Sequence, residues 1–143
     1  MDHHKRPESV LVIVYTQRSE VLLLRRKYPN DFWQSVTGSL EWGEQPIDAA
    51  VRELREETGL VNQAVYDCHS VRSFEIYSMW RKRYAPGVVM NQEHLYRLQL
   101  PEKVDIRLDP KEHEEFQWLP RLHAADLAFS HTNQEAILRW VPE

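Results

Sequence analysis

The amino-acid sequence predicts a mixed fold of the α/β or α+β class, with an α/β/α sandwich as its layered form, in one domain over residues 1–143. The first observation is the order of the predicted elements, which is strands, one helix, more strands and a terminal helix. The second is the length of 143 residues, which suits one domain. The regular strand–helix alternation of Rossmann domains is not seen, which excludes that class.

The N-terminal third is predicted to form three strands. Residues 9–16 (SVLVIVYT) are nearly all apolar and rich in β-branched side chains, which is typical of a buried strand. Residues 20–26 (EVLLLRR) follow a short polar turn and predict a second strand. Residues 33–37 predict a third, short strand that leads into Gly38.

Residues 46–58 predict a helix. Pro46 suits its first position, and Gly59 suits its C-terminal cap. Apolar side chains recur at helical spacing and are expected to form the packed face, at Ile47, Ala50, Val51 and Leu54.

The C-terminal half returns to strands before it ends in a helix. Thr132 suits the N-cap of a helix that runs to about Trp140, and Glu135 completes a capping box. The elements before this helix are predicted at residues 64–79 (two strand segments), 84–87 (a turn), 93–100 (a half-buried strand) and 115–119 (a further strand).

Composition and charge exclude several classes of protein. The chain has 22 acidic and 18 basic residues, a net charge of −4, so on average its surface does not attract nucleic acid or anionic lipid. No apolar run approaches the roughly 20 residues that a membrane span needs, and residues 1–8 lack the apolar core of a signal peptide. A single cysteine, Cys68, cannot form an intrachain disulfide, which favours the reducing cytoplasm.

The negative charge is concentrated in residues 38–60. This segment has six acidic and two basic side chains, whereas the rest of the chain is electrically balanced. On a helix, Glu53, Glu56 and Glu57 border the apolar stripe, and each like-charge pair costs about 0.2–0.5 kcal/mol. They also lie near the helix C-terminus, where the macrodipole disfavours anions. A solvated charged face is the ordinary interpretation, but a bound divalent cation such as Mg²⁺ explains the placement better.

The same segment carries a fixed pattern of residue types. Gly38 is followed after five residues by Glu44, and after seven more by residues 52–60 (RELREETGL). This pattern resembles the Nudix box, the signature of the Nudix hydrolase family. The resemblance implies an α/β/α sandwich with a mixed sheet and a loop–helix–loop catalytic motif. It also implies hydrolysis of a nucleoside diphosphate linked to another group.

The resemblance further implies a Mg²⁺ ion, or Mn²⁺ in its place, held by carboxylates of the box. Glu53 and Glu57 are the expected metal ligands. Glu56 is either a third ligand or the acceptor of a proton from the attacking water. Arg52 and Glu44 are expected to orient these carboxylates. The expected catalytic set is therefore Glu53, Glu56, Glu57 and Arg52.

Segments outside the box narrow the resemblance. Residues 31–38 (DFWQSVTG), residues 81–87 (RKRYAPG) and Asn133 are similar to the bacterial dihydroneopterin triphosphate pyrophosphatases, a Nudix group of folate biosynthesis. That group converts 7,8-dihydroneopterin triphosphate to the monophosphate and releases pyrophosphate. By resemblance, the substrate contacts are Lys5, Arg26, Thr37, Arg81, Lys82, Arg83, Tyr84 and Asn133.

The residue types at these positions suit such a substrate. Basic side chains such as Arg26 can bind a triphosphate tail. Tyr84, Phe32 or Trp33 can stack on a flat ring, and core packing is the alternative for Phe32 and Trp33. For residues 81–83 the alternative is a solvated hairpin tip.

The resemblance also implies a further metal-binding acid after the later strands. Glu112 aligns best, and Glu114 and Glu115 are close alternatives. The expected partner is a small-molecule triphosphate, with no nucleic acid and no membrane.

Two other functions remain open. The Nudix box does not separate dihydroneopterin triphosphate from (deoxy)nucleoside triphosphates or dinucleoside polyphosphates. A non-catalytic Nudix-fold binding module is disfavoured, because such a module is expected to lose box carboxylates and Glu53, Glu56 and Glu57 are all present.

Overall fold

The computed structural model describes residues 4–143. Over that range the chain forms seven strands, three α-helices and one 3₁₀ helix. No helix within it is long and apolar enough to cross a membrane. In chain order the elements are β1 (Glu8–Thr16), β2 (Glu20–Arg26), β3 (Trp33–Gln34), β4 (Val36–Ser39), α1 (Pro46–Thr58), β5 (Tyr66–Glu75), the 3₁₀ helix (Ser78–Arg83), β6 (Met90–Leu100), β7 (His113–Pro120), α2 (Arg121–Leu127) and α3 (His131–Trp140).

Strand β1 lies at the centre of the sheet. One edge pairs in parallel with β6 along the whole strand, so that Glu8 lies opposite Gln92. The other edge is divided, because β4 pairs antiparallel with residues 9–12 and β2 pairs antiparallel at Tyr15. Strand β5 extends the sheet beyond β6, and β3 and β7 pair with β2. The sheet is mixed, which confirms that expectation.

Different helices cover the two faces of the sheet. Side chains alternate between faces along a strand, so Val10 and Val12 of β1 join one apolar cluster with Leu54 of α1. Leu11 of β1 joins a second cluster with Ile137 of α3. Each such buried side chain stabilises the layers by roughly 1.5–3 kcal/mol. The predicted α/β/α sandwich is therefore confirmed.

Helix α1 packs on a face that differs from the predicted one. Ala50 and Leu54 are buried as expected, but Ile47 and Val51 are 41% and 43% exposed. The buried face is rotated toward Ala49 and takes in the carboxylate residues Glu53 and Glu57. The predicted stripe is wrong in this respect, because the sheet meets the helix along the side that carries these acids.

Two local predictions in the C-terminal half are also wrong. Residues 64–79 form one strand followed by the start of the 3₁₀ helix, instead of two strands. The register of that strand shifts between Asp67 and Ser70. The N-cap of the terminal helix is Ser130 and not the predicted Thr132. The Ser130 hydroxyl oxygen accepts a hydrogen bond from the Asn133 N–H at 3.1 Å.

The remaining differences concern short elements. The predicted strand at residues 33–37 is two strands, β3 and β4, which pair with different neighbours. Helix α2 was not predicted, and it follows β7 without a loop. Its alanines Ala124 and Ala125 pack beneath α3 in the second apolar cluster.

Candidate active site

Two carboxylates of α1 lie side by side under β4. Glu57 is 1% exposed, and its Oε1 accepts a hydrogen bond from the backbone N–H of Thr37 at 3.4 Å. Its Oε2 is buried and has no hydrogen-bond partner among the described residues. Glu53 is 8% exposed and lies against Gly38, where an added Cβ would come within 2.3 Å of the Glu53 carboxyl carbon. Only glycine leaves room for this carboxylate.

Arg52 connects the carboxylates of the box. Its guanidinium donates two hydrogen bonds of 2.9 Å to Glu44 and one of 2.8 Å to Glu53. It also donates to the carbonyl oxygen of Ser39 at 3.1 Å. Hydrogen bonding to Arg52 lowers the pKa of Glu44, and hydrogen bonding to Glu44 raises the pKa of Arg52. This geometry favours the orienting role that the resemblance implies for Arg52 and Glu44.

Glu56 lies apart from this buried pair. Its side chain is 46% exposed and stays 3.4 Å from the Arg52 guanidinium. It is not among the described residues that line the adjacent cavity of about 800 Å³. The structure therefore does not separate its two expected roles, and both remain predictions.

The buried pair needs a positive charge or a proton. Burial is the main cause that raises the pKa of Glu57 well above its ordinary value, and the adjacent Glu53 adds to the effect. Burial likewise raises the pKa of Glu53, against the lowering effects of its hydrogen bond to Glu57 and of the Arg52 charge. Two carboxylates in contact, one with an unpaired oxygen, form an oxygen donor set of the kind that Mg²⁺ prefers. These residues fit a divalent cation.

The third expected ligand, Glu112, lies on the loop before β7. It lines the same cavity as Glu53, and its negative charge contributes to the raised pKa of Glu57. Within residues 4–143, however, no three Asp, Glu, His or Cys side chains are gathered closely enough to form a complete metal-binding cluster. The alternatives Glu114 and Glu115 instead pair with Arg25, at 3.5 and 3.2 Å. The structure thus favours Glu112.

A cavity of about 800 Å³ opens beside these carboxylates. Most of the predicted site residues line it, so that acidic and basic side chains lie close together. The predicted residues that line it are Lys5, Arg26, Thr37, Arg52, Glu53, Arg83, Tyr84, Glu112 and Asn133.

Three basic side chains face the acids across this cavity. The backbone N–H of Lys5 donates to the carbonyl oxygen of Arg83 at 2.8 Å, which joins the N-terminal segment to the 3₁₀ helix. Burial is the main cause that lowers the pKa of Lys5 to about 8, and the nearby charges of Arg83 and Arg26 contribute to the same shift. The Arg26 guanidinium lies 5.1 Å from the ring centre of Trp80. Such a group of cations suits a polyphosphate chain.

Two predicted contacts do not reach the cavity. Arg81 donates to the carbonyl oxygen of Ile76 at 3.0 Å and pairs with the Glu75 carboxylate. Lys82 is exposed and is not a lining residue. The 3₁₀ helix turns these two side chains away while it turns Arg83 inward, so the structure brings only one member of this basic run to the cavity.

Two other predicted residues line the cavity but also support the structure. The Asn133 side chain is occupied by Ser35, accepting from its N–H and donating to its hydroxyl, both at 2.9 Å. Tyr84 is 9% exposed and hydrogen-bonds Ser39, although burial still raises its pKa. Of the two aromatics with alternative interpretations, Phe32 lines the cavity and Trp33 packs against the core.

The cavity has an aromatic wall that extends beyond the predicted Phe32. Phe32 and Phe129 stack with ring centres 3.6 Å apart, and Tyr77 meets Phe129 edge-on at 5.4 Å. Phe74 and Ile76 line the cavity beside them. Their two-residue spacing is a strand signal that places both side chains on one face, and it was available in the sequence. A flat ring can lie against such a wall.

Two polar residues of β6 also line the cavity and were not predicted. Asn91 is 2% exposed, and its Nδ2 donates to the Ser9 hydroxyl at 2.8 Å, while its Oδ1 has no partner among the described residues. Glu93 is 6% exposed, and burial raises its pKa to about 7 against the lowering effects of Thr132 and Arg72. The cavity therefore has a second polar region apart from the box.

The raised pKa of Glu93 predicts a pH-dependent stability. Between pH 4.5 and about 7 the folded protein keeps the Glu93 proton that the unfolded chain releases. The folded state then binds more protons, so the free energy of unfolding should fall by up to roughly 3 kcal/mol as the pH rises through this window. Glu93→Gln should lack this part of the fall. Urea unfolding of both proteins across the window measures it, and a pH-independent difference between them would contradict the assignment.

Comparisons with known proteins agree with the Nudix resemblance of the sequence. The NUDIX domain family model matches residues 5–141. The chain is 43% identical to the dihydroneopterin triphosphate diphosphatase of Escherichia coli K12, over 96% of this chain and 94% of that protein. It is 36% identical to the enzyme of the same name from Haemophilus influenzae, over 99% of this chain and 91% of that protein.

Solved structures give the same result. The structure of the E. coli dihydroneopterin triphosphate pyrophosphohydrolase superimposes with a TM-score of 0.91 at 42% identity and covers 98% of both chains. A NUDIX hydrolase from Listeria monocytogenes superimposes with a TM-score of 0.80 at 23% identity, over 95% of this chain and 92% of that chain. The second match shows the shared fold alone.

Proposed function

This chain belongs to the Nudix family, and from that membership we propose that it is a Mg²⁺-dependent pyrophosphohydrolase of 7,8-dihydroneopterin triphosphate. The products are dihydroneopterin monophosphate and pyrophosphate, in folate biosynthesis. The observation that carries the proposal is the similarity, over nearly the full length of both chains, to two diphosphatases named for this substrate. The site supports it with the carboxylates of Glu53 and Glu112, which line one cavity together with basic side chains.

The residues of the cavity divide the work of such a reaction. Lys5, Arg26 and Arg83 bind the triphosphate oxygens and hold the triphosphate in line with the carboxylates. When bound by Glu53 and Glu57, a Mg²⁺ ion supplies neutralisation of phosphate charge and orientation of the attacking water. The substrate-binding role that the resemblance implies is kept for Thr37, Tyr84 and Asn133. Glu56 is either a third metal ligand or the acceptor of a proton from the attacking water. Arg81 and Lys82 do not reach the cavity, so no substrate contact is assigned to them.

A substrate panel tests the proposal. The protein is incubated with Mg²⁺ and either dihydroneopterin triphosphate, ATP, GTP, dATP or a dinucleoside polyphosphate, and released pyrophosphate and phosphate are measured separately. We expect pyrophosphate from dihydroneopterin triphosphate with the highest kcat/KM. Equal turnover of the ordinary nucleotides would favour a broader Nudix hydrolase. No release from any compound would favour a non-catalytic binding module.

A comparison of two acids tests the third metal ligand. Glu112→Gln should weaken Mn²⁺ binding at least about 10-fold, because it removes one carboxylate from the donor set. Glu114→Gln should change the binding less than about twofold, since its carboxylate pairs with Arg25 outside the cavity. Titration of Mn²⁺ followed by electron paramagnetic resonance measures both affinities. The reverse order of effects would assign the ligand to Glu114.

The proposal also covers the domain organisation, the partners and the cellular location of the enzyme. We propose one catalytic domain over residues 1–143 and a small-molecule triphosphate as its partner, with no nucleic acid or membrane partner. A cytoplasmic location is supported by the single cysteine, Cys68, which is buried and unpaired with any other cysteine.

A further inference from the structure

Strand β6 presents two hydrogen-bond acceptors to the cavity. Asn91 and Glu93 are separated by one residue, so their side chains lie on the same face of the strand. Both line the cavity, and both are at least nine-tenths buried. The Asn91 Oδ1 has no partner among the described residues. A buried acceptor without a partner is costly, which points to a ligand with a donor at this position.

The Glu93 carboxylate is not used by an ion pair of the fold. Within residues 4–143, no basic side chain lies within salt-bridge distance of it, and the nearby Arg72 pairs with Glu135 instead. Its side-chain contact is the Thr132 hydroxyl, which leaves acceptor positions of the carboxylate free toward the cavity. Glu93 also borders a smaller cavity of about 390 Å³ that contains Arg72.

The surroundings of these acceptors suit a flat heterocycle. Phe74 and Tyr77 line the same cavity, so a planar ring can lie against aromatic side chains while its edge meets β6. The basic residues and the carboxylates of Glu53 and Glu112 are other parts of the same lining. One cavity thus offers cations for phosphates and acceptors for a ring edge that carries N–H groups.

We propose that Glu93 determines specificity by binding the 2-amino-4-oxo edge of the substrate ring, with the carboxylate accepting from N3–H and the 2-amino group. Asn91 Oδ1 accepts a further N–H of the same ring. This assignment rests on the proposed function, because dihydroneopterin carries that edge. Guanine offers an equivalent pair of donors, N1–H and its 2-amino group, whereas adenine does not. The paired acceptors therefore favour triphosphates whose ring carries two adjacent hydrogen-bond donors.

Binding of the unphosphorylated ring tests this role without metal or turnover. Calorimetric titration of the protein with 7,8-dihydroneopterin should give about 10- to 100-fold weaker binding to Glu93→Gln than to the wild type, since the amide places an N–H against a ring donor. Glu20→Gln is the matched control. It changes a half-buried sheet carboxylate that hydrogen-bonds Thr16 and does not line the cavity, so its affinity should equal the wild type.

Substrate kinetics supply the second readout. Glu93→Gln should raise KM for dihydroneopterin triphosphate and GTP by a similar factor while the KM for ATP changes less than about twofold. Glu93→Asp, which keeps the charge but withdraws it by one methylene, serves if the glutamine variant does not fold. It should weaken binding of dihydroneopterin in the same direction.

The outcomes separate the two proposals. Wild-type affinity of a folded Glu93 variant for dihydroneopterin overturns the role of Glu93, and so does an equal loss for ATP, which a purely structural role would produce. The proposed function fails on a different measurement, the absence of pyrophosphate release from dihydroneopterin triphosphate by the wild-type protein.

Discussion

Glu57→Gln is expected to reduce turnover of dihydroneopterin triphosphate about a thousand-fold or more. The reason is that a bound metal ion stabilises the transition state by several kcal/mol, and the substitution removes one of its ligands. The substitution keeps the size of the side chain and removes one of two buried carboxylates in contact. Burial and the adjacent Glu53 already raise the pKa of Glu57, so the metal-free protein should lose no stability. Activity should therefore fall while the stability of the metal-free protein is maintained.

Thermal unfolding with and without Mn²⁺ separates these effects. The wild-type melting temperature should rise with the ion, whereas that of Glu57→Gln should rise much less, since it lacks a ligand in the folded state. Glu102→Gln, which changes an exposed acid outside the cavity, should keep both the activity and the rise. Full turnover by Glu57→Gln, or an undiminished rise with Mn²⁺, would remove Glu57 from the metal site.

Gly38→Ala is expected to lower kcat about 100-fold while the protein stays folded. A Cβ at this position would come within 2.3 Å of the Glu53 carboxyl carbon, so the carboxylate must move. Displacement of a catalytic group by about 1 Å costs on the order of 100-fold in rate. The overpacking itself should lower the free energy of unfolding by about 1–3 kcal/mol.

A second glycine provides the control for this substitution. Gly87 has a φ of +87°, and an added Cβ there would meet no atom within 4 Å. Gly87→Ala should lower the free energy of unfolding by roughly 1 kcal/mol through backbone strain and leave kcat unchanged. Chemical denaturation and steady-state kinetics on both variants measure the two effects. If Gly38→Ala kept wild-type kcat, Glu53 would not need its present position.

The layered fold could be predicted from the sequence because its signals are local. The apolar run of β1 and the capping of α1 by Gly59 depend on adjacent residues alone. The rotation of α1 could not be predicted, because Ile47 and Val51 are more hydrophobic than the glutamates that replace them on the packed side. Glu53 can be buried because Gly38, on another element, has no side chain to occupy the space of its carboxylate.

Site residues could be predicted where the box motif fixes their positions. They could not be predicted where the pairing of distant strands brings them to the cavity. The box places Arg52 beside Glu53 by spacing alone. By contrast, Asn91 and Glu93 are polar residues of a strand and would ordinarily be assigned to solvent. They face the cavity because β6 pairs in parallel with β1, which puts Glu93 opposite Ser9. That pairing joins segments that are distant in the sequence, and neither strand carries a sequence pattern that predicts it.

The parallel pairing of β1 with β6 has a consequence for how the chain folds. Residues 8–16 are made well before residues 90–100, which contain their continuous partner strand. Bringing these segments together requires closure of a long loop before any of its contacts forms, which slows folding. Until then β1, whose residues are mostly apolar, remains an unpaired edge on one side. During synthesis β1 is thus open to aggregation until residues 90–100 have been made.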